Sequence, residues 1–178
     1  EYVEGCNAIA SCLGHNMSIQ GIFGKPRKLV TDATKRLCSA INEGEPNSMV
    51  KYILMNTVGN RNRDLPEKFS FGEKCIIWLL RLLVPPHIDN EEAAEFLRTK
   101  IGQNDNTIKW VVVRPSSLID EEDVSEYKTH SSPTRSAIFN DGKVSRVNVA
   151  AFMTTLITDQ NLWEKWKGQM PVIYNKEK

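Results

Sequence analysis

The chain has 178 residues, 40% hydrophobic and 25% charged, a balance that suits one globular domain burying roughly 70% of its unfolded surface. A formal net charge of +1 supplies no general electrostatic field, which argues against nucleic acid or a membrane surface as a partner. Cys6, Cys12, Cys38 and Cys75 include no Cys-x-x-Cys pair and no neighbouring histidines; the expectation is reduced, mostly buried thiols in a cytoplasmic compartment, without a metal site or disulfide framework.

The opening residues, Glu1 to Glu4, show neither an initiating Met nor the basic-then-apolar pattern of a targeting segment, so a fragment or processed chain is expected. Asn7 to Leu13 reads as a strand ending at Gly14-His15, before a loop that holds Gly21, Gly24 and Pro26. From Leu29 to Asn42 the apolar residues follow helical spacing, and Gly44 and Pro46 stop the helix. A second strand, Val50 to Met55, runs into Asn56-Thr57-Val58-Gly59. The longest apolar stretch, Cys75 to Val84, contains Arg81 and is far short of the ~20 residues of a spanning helix. It reads as part of a buried helix, Phe71 to Leu83, closed by Pro85-Pro86. Asp89 is a good N-cap for the next helix, Glu91 to Lys100.

The segment Lys109 to Leu118 is a continuous apolar strand that stops at Arg114-Pro115 and spills into Ser116-Ser117-Leu118. Such strands belong in the middle of parallel sheets, where ligands sit just beyond the carboxyl ends. Farther on, Asn140-Asp-Gly142 between Thr134–Phe139 and Lys143–Arg146 signals a β-hairpin. Val147 to Thr158 has helical character, Trp163 and Trp166 anchor a short helical turn, and Pro171 to Tyr174 forms a last strand. The alternation implies an α/β fold with four main parallel strands joined by right-handed crossovers. Its first strand, apolar on both faces, wants a neighbour on each edge, so further strands are expected before it.

Taken in order, Asn7-Ala-Ile-Ala-Ser-Cys-Leu-Gly14, Ile53-Leu-Met-Asn-Thr57, Pro86 to Glu95, Trp110 to Leu118, Val144 to Ala150 and Pro171 to Tyr174 resemble the atypical short-chain dehydrogenases. These are the epimerase-like or NmrA-like NAD(P)-binding Rossmann proteins. The resemblance makes the strands the fourth to seventh of a parallel Rossmann-type sheet, with NADP or NAD as cofactor and a small carbonyl or alcohol as substrate. The family's Gly-rich phosphate loop does not occur in these residues. Its nearest imitation, Gly21-Ile-Phe-Gly24, lacks the strand-loop-helix setting.

By the same resemblance, Ser11, Leu13 and Gly14 lie near the adenosine portion of the cofactor. Thr57, beside Asn56, stands where a catalytic Ser or Thr is usual. Pro115, Ser116, Ser117 and Leu118 fall where backbone contacts reach the nicotinamide, and proline, lacking a donor, would leave the following N–H groups free to face a ligand. The usual Tyr and Lys are replaced by His87 and Glu91. His87 can serve as a proton donor near neutral pH, whereas Glu91 cannot reproduce a cation's role. Ser145 and Asn148 belong to the part that closes over the substrate, or else cap a helix; Arg114 is either a site residue or tied to loop carbonyls. Two readings stay open, an oxidoreductase and a non-catalytic NAD(P)-binding sensor or scaffold. Arg61-Asn-Arg63 reads as a solvated basic loop, and Lys128 to Arg135, with His130, as a surface loop.

Overall fold

A computed structural model of the chain describes residues 3–16 and 18–176, so the opening Glu1 and Tyr2 lie outside it. In chain order the elements are β1 (Ala8–Ser11), α1 (Ile19–Phe23), α2 (Leu29–Glu43), β2 (Val50–Met55), α3 (Phe71–Leu83), α4 (Pro85–Phe96) and β3 (Ile108–Pro115). There follow β4 (Ser117–Ile119), β5 (Tyr127–His130), β6 (Lys143–Ser145), α5 (Arg146–Thr158), α6 (Gln160–Trp166) and β7 (Val172–Asn175). The main sheet has the order β1-β2-β3-β7-β5. Its first four strands are parallel, as the alternation of strands and helices requires, and β5 runs antiparallel to β7.

The apolar runs of β2 and β3 place them at the centre, covered on both faces. On one face Tyr52, Leu54, Trp110 and Val112 pack against Val30, Cys38 and Ile41 of α2 and Ala93 and Ala94 of α4. On the other, Ile53, Val111 and Val113 meet Val149, Phe152 and Leu156 of α5 and both tryptophans of α6. Successive side chains of a strand point to opposite faces, and this alternation divides the core into its two layers.

Asp89 does not start a helix. Pro85 and Pro86 occupy the first positions of α4, where a missing N–H costs nothing because it would have no helical partner. Asp89 is therefore one turn inside α4, and its carboxylate caps a different helix, accepting from the backbone N–H of Val30 (2.8 Å) and Thr31 (2.9 Å) at the start of α2. Lys28, the residue at that helix's own N-cap, makes no side-chain cap. Nε2 of His15 lies 2.7 Å from the same carboxylate, and Nδ1 is 3.2 Å from the Gly21 carbonyl. The α4 helix then passes into a π-helical turn, Leu97–Ile101, closed by Gly102 at φ 69° with its N–H on the Leu97 carbonyl.

The expected hairpin at Asn140-Asp-Gly142 is absent. Lys143–Ser145 instead pairs in parallel with Ser117–Ile119 as a separate two-stranded sheet. Gly142 serves close approach and not a turn, for a Cβ there would stand 2.4 Å from Cδ1 of Tyr174. Part of the presumed loop at 128–135 is the edge strand β5, whose four residues pair with β7. The helix expected to be buried, α3, hides only Glu73 and Ile77 and exposes Phe71, Trp78 and Leu82. Thiol burial also differs from expectation: Cys38 is buried, with its pKa pushed up to about 12 by desolvation, but Cys12 and Cys75 are exposed. Among the described residues no helix is long and apolar enough to cross a membrane.

Burial by itself would raise the pKa of Asp89, yet hydrogen bonds from Thr31, His15 and Val30 outweigh it and hold the carboxyl below its ordinary value. A lowered folded-state pKa means stability that is present above the ordinary carboxylate range and lost as the pH falls through the folded value. Asp89→Ala should cost about 1–3 kcal/mol in urea unfolding at neutral pH. The difference between variant and wild type should shrink in acid; a difference unchanged on acidification would exclude the ionised cap as its source.

Candidate functional site at the carboxyl edge of the sheet

The ends of β2 and β3 are stitched together by the backbone. The N–H of Asn56 donates to the Val113 carbonyl (2.8 Å) and that of Val58 to the Pro115 carbonyl (2.9 Å). Asn56 also donates through Nδ2 to the Asn90 carbonyl of α4 (2.8 Å), while its Oδ1 accepts from the N–H of Thr57 (2.9 Å). Asn56 thus positions the loop of Thr57 against α4. A Cβ added at Gly59 would stand 3.8 Å from Cε1 of His87 and 3.9 Å from Oγ1 of Thr57. The two candidate catalytic side chains, 30 residues apart in sequence, therefore both come within van der Waals reach of the Cβ position of one glycine.

His87 sits in the first turn of α4 and Glu91 one turn later. Nε2 of His87 is 3.3 Å from Glu91 Oε1, at ion-pair distance but without hydrogen-bond alignment. Arg81 grips the same carboxylate with two nitrogens, Nε at 2.8 Å from Oε2 and Nη2 at 2.9 Å from Oε1. Burial would raise the Glu91 carboxyl, but contact with His87 and Arg81 outweighs it and holds the group below the usual range. Glu91 is an anion that receives a cation instead of supplying one.

Arg114 is structural. It is fully buried: Nη2 donates to Glu67 Oε1 (2.7 Å), Nε to the Met170 carbonyl (2.7 Å), and Nη1 to the Asn60 carbonyl (2.8 Å). The N–H groups after Pro115 are not free, because Ser116 donates to the Ile173 carbonyl (3.4 Å) and Ser117 to the Gly142 carbonyl (3.2 Å). What this edge does leave open is the hydroxyl of Ser116, buried without a partner, with Leu118 partly exposed beyond it. Ser117 bonds to Asp141 through its hydroxyl.

At the end of β1, Ser11 is also buried and unpartnered. It turns inward, though, beside the hydroxyls of Thr34 and Tyr52, where burial raises the tyrosine pKa. Leu13 and Gly14 are exposed, with no atom within 4 Å of where a Gly14 Cβ would stand. Ser145 caps α5 by accepting from the N–H of Asn148, and Asn148 Nδ2 donates to Asn175 Oδ1 (2.6 Å), so both are structural here. His130 lines a separate open cleft of about 1130 Å³ with Tyr174 and Asn175.

Glu67, Gly59 and His15 carry much of this geometry without any signal in the sequence. Each acts through a partner far away in the chain, and no local spacing encodes such a pairing. The one available hint was the buried position of Arg114 in an otherwise apolar strand, which demands a counter-ion.

A mostly parallel sheet with helices on both faces, its polar loops gathered at the carboxyl edge, defines the Rossmann class of dinucleotide-binding fold. The sequence profile described as NAD(P)H-binding matches residues 1–160, and the chain belongs to that family. No curated protein matches. Similar solved structures include the oxidoreductase ylbE from Lactococcus lactis, at 16% identity and a TM-score of 0.61, covering 99% of this chain and 65% of its own. The anaerobillin reductase ChuY from Escherichia coli O157:H7 is 18% identical, with a TM-score of 0.61 and coverage of 99% and 68%. A Rossmann-fold NAD(P)-binding family protein from Shigella flexneri is 18% identical, with a TM-score of 0.56 and coverage of 99% and 66%. The chain thus spans about two thirds of the length of these proteins.

The residues at this edge fit NAD or NADP in part. The open space at Gly14 and the unpartnered Ser116 hydroxyl offer room and a polar group, and this sequence contains no phosphate-binding glycine motif.

Removing one member of a buried ion pair strands the other, at a cost of about 3–5 kcal/mol. Glu67→Leu and Arg114→Met should each lose that much in urea unfolding, while the double variant loses clearly less than the two together. Additive losses would show that the pair is not the organising contact.

Proposed function

We propose that the protein is an NAD(P)-dependent oxidoreductase acting on a small carbonyl or alcohol, with Thr57 and His87 facing the reacting group. The observation that carries this reading is the convergence of the two side chains on Gly59 at the carboxyl edge. When bound, the dinucleotide supplies or accepts the hydride. Gly14 and Leu13 would flank its adenosine side, and Pro115, Ser116 and Leu118 its nicotinamide side, with Asn56 holding the loop between them. The Thr57 hydroxyl donates a hydrogen bond to the substrate oxygen, whose negative charge grows as the carbonyl is reduced. His87 delivers a proton to that oxygen and takes one back in the reverse direction. Glu91 Oε1 lies 3.3 Å from Nε2 of the same ring. The cost of lacking a lysine falls on ribose binding, which nothing at Glu91 replaces.

That absence favours a second reading, in which the protein binds NAD(P) as a sensor or scaffold without turnover. The two separate in one assay on the full-length protein: loss of reduced-nicotinamide absorbance against a panel of aldehydes and ketones, with cofactor binding followed in parallel. Turnover is expected, with His87→Ala lowering kcat by about 10²–10⁴-fold and Thr57→Val by about 10²-fold. Tight NAD(P)H binding with no turnover selects the sensor, and full turnover in His87→Ala removes the proton-donor role.

A further inference from the structure

The basic tripeptide Arg61-Asn62-Arg63 is more than a solvated loop. The N–H of Asn62 donates to Glu67 Oε2 (2.9 Å), the oxygen that Arg114 Nη1 also reaches, and Asn62 is buried as a result. Anchoring the middle residue turns its two neighbours outward. Arg61 and Arg63 then line a cavity of about 340 Å³ together with Arg81 and Arg98, on a wall formed by Glu91 and Glu95 of α4.

The charges in this cavity do not cancel. Arg81 is held by Glu91, and Arg98 by Glu95 (2.7 Å) and Asp64 (2.5 Å). Arg63 shares Glu95 with Arg98, its Nη1 at 3.5 Å from Oε1. Among the described residues Arg61 has no carboxylate, and its guanidinium lies 5.9 Å from the Phe69 ring centroid. Four guanidinium groups against Glu91, Glu95 and Asp64 leave one positive charge in excess, and the planar forks of Arg61 and Arg63 still have donors to spend. Carboxylate and phosphate oxygens match such forks with paired hydrogen bonds.

The cavity also adjoins the pair that converges on Gly59. Asn60 follows Gly59 and lines it, and Glu91 Oε1 touches both His87 and Arg81. From this geometry we propose that the cavity binds the carboxylate or phosphate group of the substrate, so that the compound reduced is a small anionic carbonyl compound. The identity of that compound rests on the oxidoreductase reading above; the anion site does not.

The test uses the full-length protein without dinucleotide in low-chloride buffer. Inorganic phosphate and malonate are titrated separately, followed by the backbone amide NMR signals of residues 60–63 and 91–98. At least one probe should saturate, and the double variant Arg61→Gln/Arg63→Gln should bind it about tenfold or more weakly. The preferred probe tells which oxyanion the site takes. Both arginines are exposed at the surface, so the variant's thermal midpoint should match wild type. Linear, non-saturating shifts with both probes, or binding unchanged in the double variant, would overturn the anion site. Saturable anion binding without any carbonyl turnover would leave the site standing and overturn the substrate assignment. In the active enzyme, the same variant should raise KM for a 2-oxo acid but not for its methyl ester; an equal effect on both substrates counts against that assignment.

Discussion

The buried ion pair between Arg114 and Glu67 is the contact on which the carboxyl edge of this sheet depends. Both side chains are almost wholly withdrawn from water. Two charges in such a place are tolerated only when their hydrogen-bonding capacity is nearly filled. The guanidinium satisfies this condition by drawing in the carbonyls of Asn60, Ser131 and Met170 as well as both Glu67 oxygens. One arginine in the central strand thereby fixes three loops that share no sequence proximity. The loop after β2 is set most tightly, because Glu67 also holds the N–H of Asn62.

A second buried carboxylate organises the helical layer. Asp89 projects from α4, caps α2 and meets His15 in the loop after β1, so three segments are locked at one point. Their locking sets the rotation of α4 about its axis. That rotation turns His87, Glu91 and Glu95, spaced one turn apart, toward the loop carrying Thr57 and Arg61. Helical spacing puts the three residues on one stripe; the tertiary contacts of Asp89 decide what the stripe faces.

Much of the scaffold was legible from pattern. Val50–Met55 and Phe71–Leu83 appear in the structure with the bounds read from their apolar runs, and Leu29–Glu43 extends its expected range by one residue. These elements carry strong local signals: an unbroken apolar run from Tyr52 to Met55, a helical period, a Ser70-Glu73 capping box. Where reading failed, a nonlocal demand had overridden a local one. Asp-Gly at 141–142 has hairpin chemistry, but the Tyr174 ring occupies the space above Gly142 and Lys143–Ser145 finds its partner in β4. The apolar α3 reads as a core helix, yet it packs through only one narrow side. Asp89 has the chemistry of an N-cap and is one, but for a helix 60 residues earlier in the chain.

The sequence by itself determined the α/β class, the succession of the main parallel strands along the chain and the family, because apolar periodicity and short motifs are local properties that survive reading one residue after another. It also singled out Thr57, His87 and the Arg114-Pro115 strand end as chemistry-bearing. Only the tertiary structure decided where each sits and what it touches. It assigned Arg114 to a buried ion pair, closed the N–H groups after Pro115, brought Thr57 and His87 to one glycine, and turned Arg61 and Arg63 into the wall of a cavity. The physical reason is the same throughout: a buried charge or donor must find its partner wherever the fold brings one, and the distance along the chain carries no record of that choice.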